Sequence, residues 1–144
     1  MPEYLIVAYQ TVGGVELRDA LSEVSRRDPD AEFTLLVPAT HTQHLFTWTE
    51  GEARALAGER AEAAAEGLRA SGLNLARVVI ADPDPFVAVT NHLTTNSDYV
   101  GIIVSTFPPR VSRWLRLDLP TKLERRSGLP VTHVIVAPEE TPPL

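Results

Sequence analysis

The sequence predicts a doubly wound, Rossmann-like α/β domain: five parallel strands in the order 3-2-1-4-5 with helices on both faces. Three observations carry that prediction. Tyr4-Leu5-Ile6-Val7-Ala8 and Tyr99 to Ser105 are apolar without alternation, the pattern of strands covered on both sides. The stretches between such runs place apolar residues at helical spacing. Runs and stretches alternate along the whole chain, and units of this size force parallel pairing through right-handed crossovers.

The first strand is Glu3 to Ala8, and Tyr9 to Gly14 is the loop after it, with two glycines to turn the chain. A helix follows, with Leu17, Ala20, Leu21 and Val24 at i, i+3, i+4 and i+7. Arg26 and Arg27 suit its last turn, and Asp28-Pro29-Asp30 stops it. Ala31 to Val37 is the second strand, and Pro38 to Thr49 is a loop holding two histidines and a tryptophan. Glu50 to Ala70 is a long helix with Ala53, Leu56, Ala57, Ala61, Ala64 and Leu68 as its apolar stripe, capped by Ser71-Gly72. Leu73 to Ala81 is the third strand. Asp82-Pro83-Asp84-Pro85 starts the next helix, with Asp84 as N-cap and Pro85 at the first helical position. That helix carries Phe86, Val89 and Leu93 and ends near Asn96. Tyr99 to Ser105 is the fourth strand. Asp118 offers an N-cap for a helix running to Arg126, Ser127-Gly128-Leu129-Pro130 ends it, and Val131 to Val136 is the fifth strand. The Pro- and Glu-rich segment 137–144 is expected to fray.

At 144 residues the chain is expected to form one domain with a sizeable core. No apolar run approaches the ~18 residues of a membrane span. The opening Met1-Pro2-Glu3-Tyr4 lacks the basic region and cleavage site of a secretory signal, so a cytoplasmic location is expected. The absence of cysteine excludes disulfides, thiolate catalysis and Cys-ligated metals. A net charge of −6 argues against broad binding to nucleic acid or anionic membrane. The charge is uneven: residues 110–126 hold Arg110, Arg113, Arg116, Lys122, Arg125 and Arg126 against Asp118 and Glu124. That window is either a solvated helix face with a dipole-favoured end or part of an anion site.

In a sheet of this order ligands bind where the strand order reverses, between the first and fourth strands. The loops there are Tyr9–Gly14 and Ser105–Arg116. In the second, Ser105, Thr106 and Ser112 offer hydroxyls, and Arg110 and Arg113 offer forked donors suited to phosphate. The competing reading is a rigid surface loop whose path is set by Pro108-Pro109 and whose Trp114 packs inward. In the first loop, Thr11 and Gly13-Gly14 open a helix and either present N–H groups to a ligand or simply turn the chain. His41, His44 and Glu50 admit a metal chemically, but no further motif supports one, so no metal is expected. A lid in which Trp48 or Phe46 covers a base is the better reading of that loop. His92 and His133 read as structural residues. The Asp82/Asp84 pair is explained by capping and Glu139/Glu140 by a solvated tail. No P-loop, nucleophile elbow or nucleotidyl-transfer motif points to an enzyme.

The opening strand YLIVAYQ, the second strand AEFTLLVP, the DPDP helix start and the end pattern DYVGIIVST…SRWL…GLPVTHVIV stand in a fixed order and spacing. In these, over residues 3 to 137, the chain resembles the universal stress protein family, within the adenine-nucleotide α/β hydrolase-like folds. The resemblance implies a stress-response role, a nucleotide site, and a homodimer formed through the last strand, residues 131 to 137, since an apolar edge strand needs a partner. It places Gln10 and Thr11 beside the ribose or base, Val37 against the base, and Ser105, Thr106, Arg110, Ser112 and Arg113 by the phosphates. This chain departs from the family pattern in the residues that hold ATP. Gln10 stands where ATP-binding members carry Asp. The three glycines of their G-x2-G-x9-G-[ST] loop fall on Ser105, on Pro108, and on Leu117 or Asp118. Proline has no N–H to give a phosphate. ATP or AMP is therefore expected to bind weakly. The alternative is a dimeric protein-interaction module that has lost nucleotide binding.

Overall fold

The computed structural model describes residues 2–8, 11–38, 50–82, 84–108 and 118–137, with residues 50–57 described by their backbone alone. The strands are β1 (Glu3–Val7), β2 (Glu32–Pro38), β3 (Leu75–Ala81), β4 (Tyr99–Thr106) and β5 (Val131–Ile135). The helices are α1 (Val15–Arg27), α2 (Glu50–Ala70), α3 (Pro85–Thr95) and α4 (Leu119–Ser127). All pairings are parallel, as the alternation predicts, and the order is β3-β2-β1-β4-β5, the one expected.

Two apolar layers sandwich the sheet. On one side Ile6, Phe33, Leu35 and Ile103 pack against Leu17 and Leu21 of α1 and Ala61, Ala65 and Leu68 of α2. On the other, Leu5, Val7, Leu36, Ile102 and Val104 pack against Ala88 and Val89 of α3 and Leu119 and Leu123 of α4. Consecutive residues of β1, Leu5, Ile6 and Val7, are fully buried on alternating sides. This is why their run shows no polar alternation.

Local chemistry ends the helices where expected. Asp28 accepts the amide of Asp30 after α1, Gly72 takes φ +90° after α2, and Gly128 takes φ +72° after α4. Asp84 caps α3, its Oδ1 accepting from the Phe86 and Val87 amides at 2.9 and 3.2 Å.

The remaining differences have local causes. β3 opens at Leu75, not Leu73, because the Leu75 amide donates back to the Leu73 carbonyl and the Leu73 amide to Leu68. β2 and β4 each run one residue further than expected, to Pro38 and Thr106, through pairing with Ala81 and Ile135. β1 and β5 each stop one residue sooner, at Val7 and Ile135. The buried stripe of α2 includes Ala65, with Ala64 at its margin. Asp118 does occupy the N-cap position of α4, but makes no side-chain cap. Its backbone is left-handed (φ 54°, ψ 44°), not extended, so its carboxylate does not accept from the first-turn amides.

Candidate functional site

The carboxyl ends of β1 and β4 lie side by side at the reversal of strand order, and four of the expected site residues are described there or nearby. Thr11 follows β1, Val37 lies at the end of β2, and Ser105 and Thr106 close β4. Gln10, Arg110, Ser112 and Arg113 lie outside the described residues, as do Trp114, His41, His44, Phe46, Trp48 and the side chain of Glu50.

Thr11 and Ser105 meet directly. The Ser105 hydroxyl donates to Thr11 Oγ1 at 2.7 Å, and the Thr11 hydroxyl donates to the Ser105 carbonyl at 3.3 Å. Each residue is at most 3% exposed, so the pair forms a buried polar rivet between the first loop and β4. Thr106, equally buried, donates its hydroxyl to the Phe107 carbonyl at 2.8 Å. With that proton given away, Thr106 Oγ1 accepts from His133 Nε2, also at 2.8 Å, across the β4–β5 pair. Burial lowers the His133 pKa, which favours the neutral ring this bond uses. His133 is thus a support of a candidate site residue. Only the strand register, which sets His133 beside Val104, brings it within reach.

The start of α1 is tied to its neighbours on both sides. The Gly14 amide donates to the Thr11 carbonyl at 3.0 Å, closing the turn. The Glu16 carboxylate accepts the Ala137 amide at 2.6 Å, and that bond and one from its own amide lower its pKa. The residues after β5 therefore cross the start of α1: Val136 donates to the Thr106 carbonyl at 2.8 Å and packs against Gly14. The second glycine is needed for this close approach. Nothing in the bare sequence distinguishes it from Gly13, which has open space around it.

Val37 is 2% exposed and belongs to the core layer on the α1/α2 side. Of the basic window, Lys122, Arg125 and Arg126 are exposed on α4, and among the described residues they form no ion pair. Asp118, on which the third loop glycine can fall, keeps the left-handed backbone that glycine adopts most readily.

These features define a doubly wound α/β domain with a buried hydroxyl rivet at the carboxyl ends of its strands. The same architecture is found in solved universal stress proteins. One from Archaeoglobus fulgidus superposes with a TM-score of 0.62 at 11% identity, over 93% of each chain. A universal stress protein in complex with cAMP gives 0.60 at 13% identity, covering 94% of this chain and 97% of that one. An Arabidopsis thaliana universal stress protein family protein with AMP bound gives 0.62 at 12% identity, covering 99% of this chain and 96% of that one. The chain has the universal stress protein fold. No protein-family model and no curated protein matches its sequence. Among the described residues no helix is long and apolar enough to cross a membrane, and no cluster of His, Asp and Glu is arranged to hold a metal.

Proposed function

We propose that this chain is a divergent universal-stress-protein-like domain that binds a nucleotide or another phosphate-bearing metabolite weakly, in a sensing or accessory role in the cytoplasm. The Thr11–Ser105 rivet carries this reading, because it joins the first loop to the end of β4 at the switch point, where folds of this kind bind their ligands. Two structures of the same fold hold AMP and cAMP, which makes adenine nucleotides the first ligands to test. In this reading Gln10, Thr11 and the adjoining backbone lie by the sugar and base, with Val37 behind them. Ser105, Thr106, Arg110, Ser112 and Arg113 lie by the phosphates.

A thermal-shift panel of ATP, ADP, AMP, cyclic nucleotides and inorganic phosphate tests it, on the wild type and on Arg110→Ala/Arg113→Ala. Ligand at 100 times its Kd adds about 2.7 kcal/mol, several degrees for a domain this size. The reading expects a shift with at least one nucleotide that disappears in the double variant. A flat panel at millimolar ligand overturns it.

One observation favours a second reading. The hydroxyls of Thr11 and Ser105 are committed to each other, and the Glu16 carboxylate at the start of α1 to the Ala137 amide. A domain so closed at its ligand end suits a protein-interaction module, a homodimer joined through residues 131–137. The edge position of β5 supports that pairing.

A further inference from the structure

A second polar cluster lies at the opposite end of the sheet and joins three elements. His92 is in the last turn of α3, Tyr99 opens β4, and Arg77 lies near the start of β3. His92 Nε2 is 2.8 Å from the Tyr99 hydroxyl, with the rings 5.6 Å apart. Arg77 Nη2 donates to that hydroxyl at 3.5 Å and to Asn96 Oδ1 at 3.4 Å. Asn96, the C-cap of α3, donates its side-chain amide to the His92 carbonyl at 3.0 Å and holds Nδ2 3.5 Å from His92 Nδ1.

Arg77 can only donate. It therefore takes a lone pair of the Tyr99 oxygen and turns the Asn96 amide so that its N–H groups face His92. The imidazole has the Tyr99 hydroxyl at Nε2 and the Asn96 amino nitrogen beside Nδ1. The two N–H groups of that amino nitrogen lie nearer the His92 carbonyl and Thr95 Oγ1, at 3.0 Å each, and it offers Nδ1 no acceptor. A neutral ring can leave Nδ1 without a proton, whereas an imidazolium must point Nδ1–H at a group that cannot accept it and leaves the Tyr99 oxygen to take two cationic donors. Arg77 on β3 is the charged group facing His92, and Tyr99 on β4 the titratable one. Among the described residues no carboxylate stands within ion-pair distance to offset a new charge. Burial first, then the Arg77 charge, lower the His92 pKa.

We propose that Arg77, His92, Asn96 and Tyr99 form a proton-sensitive latch that holds the end of α3 to β4 and releases it on acidification. The segment it holds, with Leu93, Thr94 and Ser97, is one wall of a cleft of about 250 Å³. Arg126, Ser127 and Leu129 form the other wall, so release opens the cleft between α3 and α4. The folded protein binds fewer protons at His92 than the unfolded chain does. The latch is therefore whole above the ordinary imidazole pKa of about 6.5 and is lost as pH falls through the lower folded value.

Amide hydrogen exchange between pH 7.5 and 5, corrected for intrinsic rates, tests this on the wild type, His92→Gln and Arg77→Gln. In the wild type, opening of residues 92–99 rises by up to about tenfold per pH unit below 6.5, while the amides around Thr11 and Ser105 hold. His92→Gln keeps a hydrogen-bond partner for Tyr99 but does not titrate, so its opening is flat with pH. Removing the facing cation in Arg77→Gln moves the His92 ring titration, followed by NMR, to higher pH. The proposal is overturned by a wild-type profile that is flat, by the same slope in His92→Gln, by uniform opening of the whole chain, or by a His92 midpoint that ignores Arg77→Gln.

Discussion

A buried hydroxyl destabilises a fold unless it is bonded, and Thr11 and Ser105 meet that demand in each other. The sequence marks both as residues just beyond, or at the end of, apolar strands. It does not show that they touch, since they are 94 positions apart. Thr11→Val removes the acceptor of the Ser105 hydroxyl and the donor to its carbonyl in one step. It is expected to lower unfolding free energy by about 1–3 kcal/mol, read from denaturant titration. Ser105→Ala removes only the donor and should cost less. The double variant should cost less than the two singles together, because both act on one bond pair. Strict additivity would mean that the rivet does not couple the two strand ends. Asp118 shows the limit of residue-level reading in the other direction. It stands at the N-cap position as its chemistry says, and its left-handed backbone denies it the side-chain cap.

Helix and strand positions follow from periodicity and caps, which are local, and these were largely legible. Asp84-Pro85 places the start of α3 because the carboxylate meets amides two and three residues on. The start of α1 is different. Gly13-Gly14 reads as a turn, yet only the crossing of Val136 makes one glycine indispensable. A Cβ on Gly14 would fall on Val136 Cγ1 and press the Thr11 carbonyl at 3.2 Å. Gly14 has an ordinary extended backbone (φ −72°, ψ 140°), so the constraint is steric and not conformational. Gly14→Ala should cost about 1–3 kcal/mol. Gly13→Ala, with nothing within 4 Å, should cost far less. Adding Val136→Ala to Gly14→Ala should recover part of the loss. If the two alanines behave alike, the crossing is not as tight as the geometry states.

At the scale of the molecule, the sheet has two edges, β3 and β5. On β5, Thr132 is exposed and Ile135 is 47% exposed, an apolar side chain on an edge strand. If the homodimer forms through this edge, the wild type sediments as a dimer at high micromolar concentration. Ile135→Lys then shifts it toward monomer without loss of thermal stability in the monomer. A wild-type monomer under those conditions removes the dimer reading. Sequence reasoning reached the edge through the 3-2-1-4-5 order it assigned to the sheet, which places β5 last. It did not reach the Glu16–Ala137 contact that fixes where β5 ends, since its partners stand 121 positions apart.

The sequence by itself determined the class of fold, the helix ends at Asp28, Gly72 and Gly128, and the cap at Asp84. Each of these depends on residues within a few positions of one another, where apolar period and turn chemistry act directly. The tertiary structure alone decided the order of the strands, the Thr11–Ser105 rivet, the support of Thr106 by His133, the contact of Glu16 with Ala137, and the meeting of His92 with Tyr99 and Arg77. Each of these depends on strand register and on how closely the backbone crosses itself. Those are set by packing of the two core layers as a whole, and no local pattern encodes them.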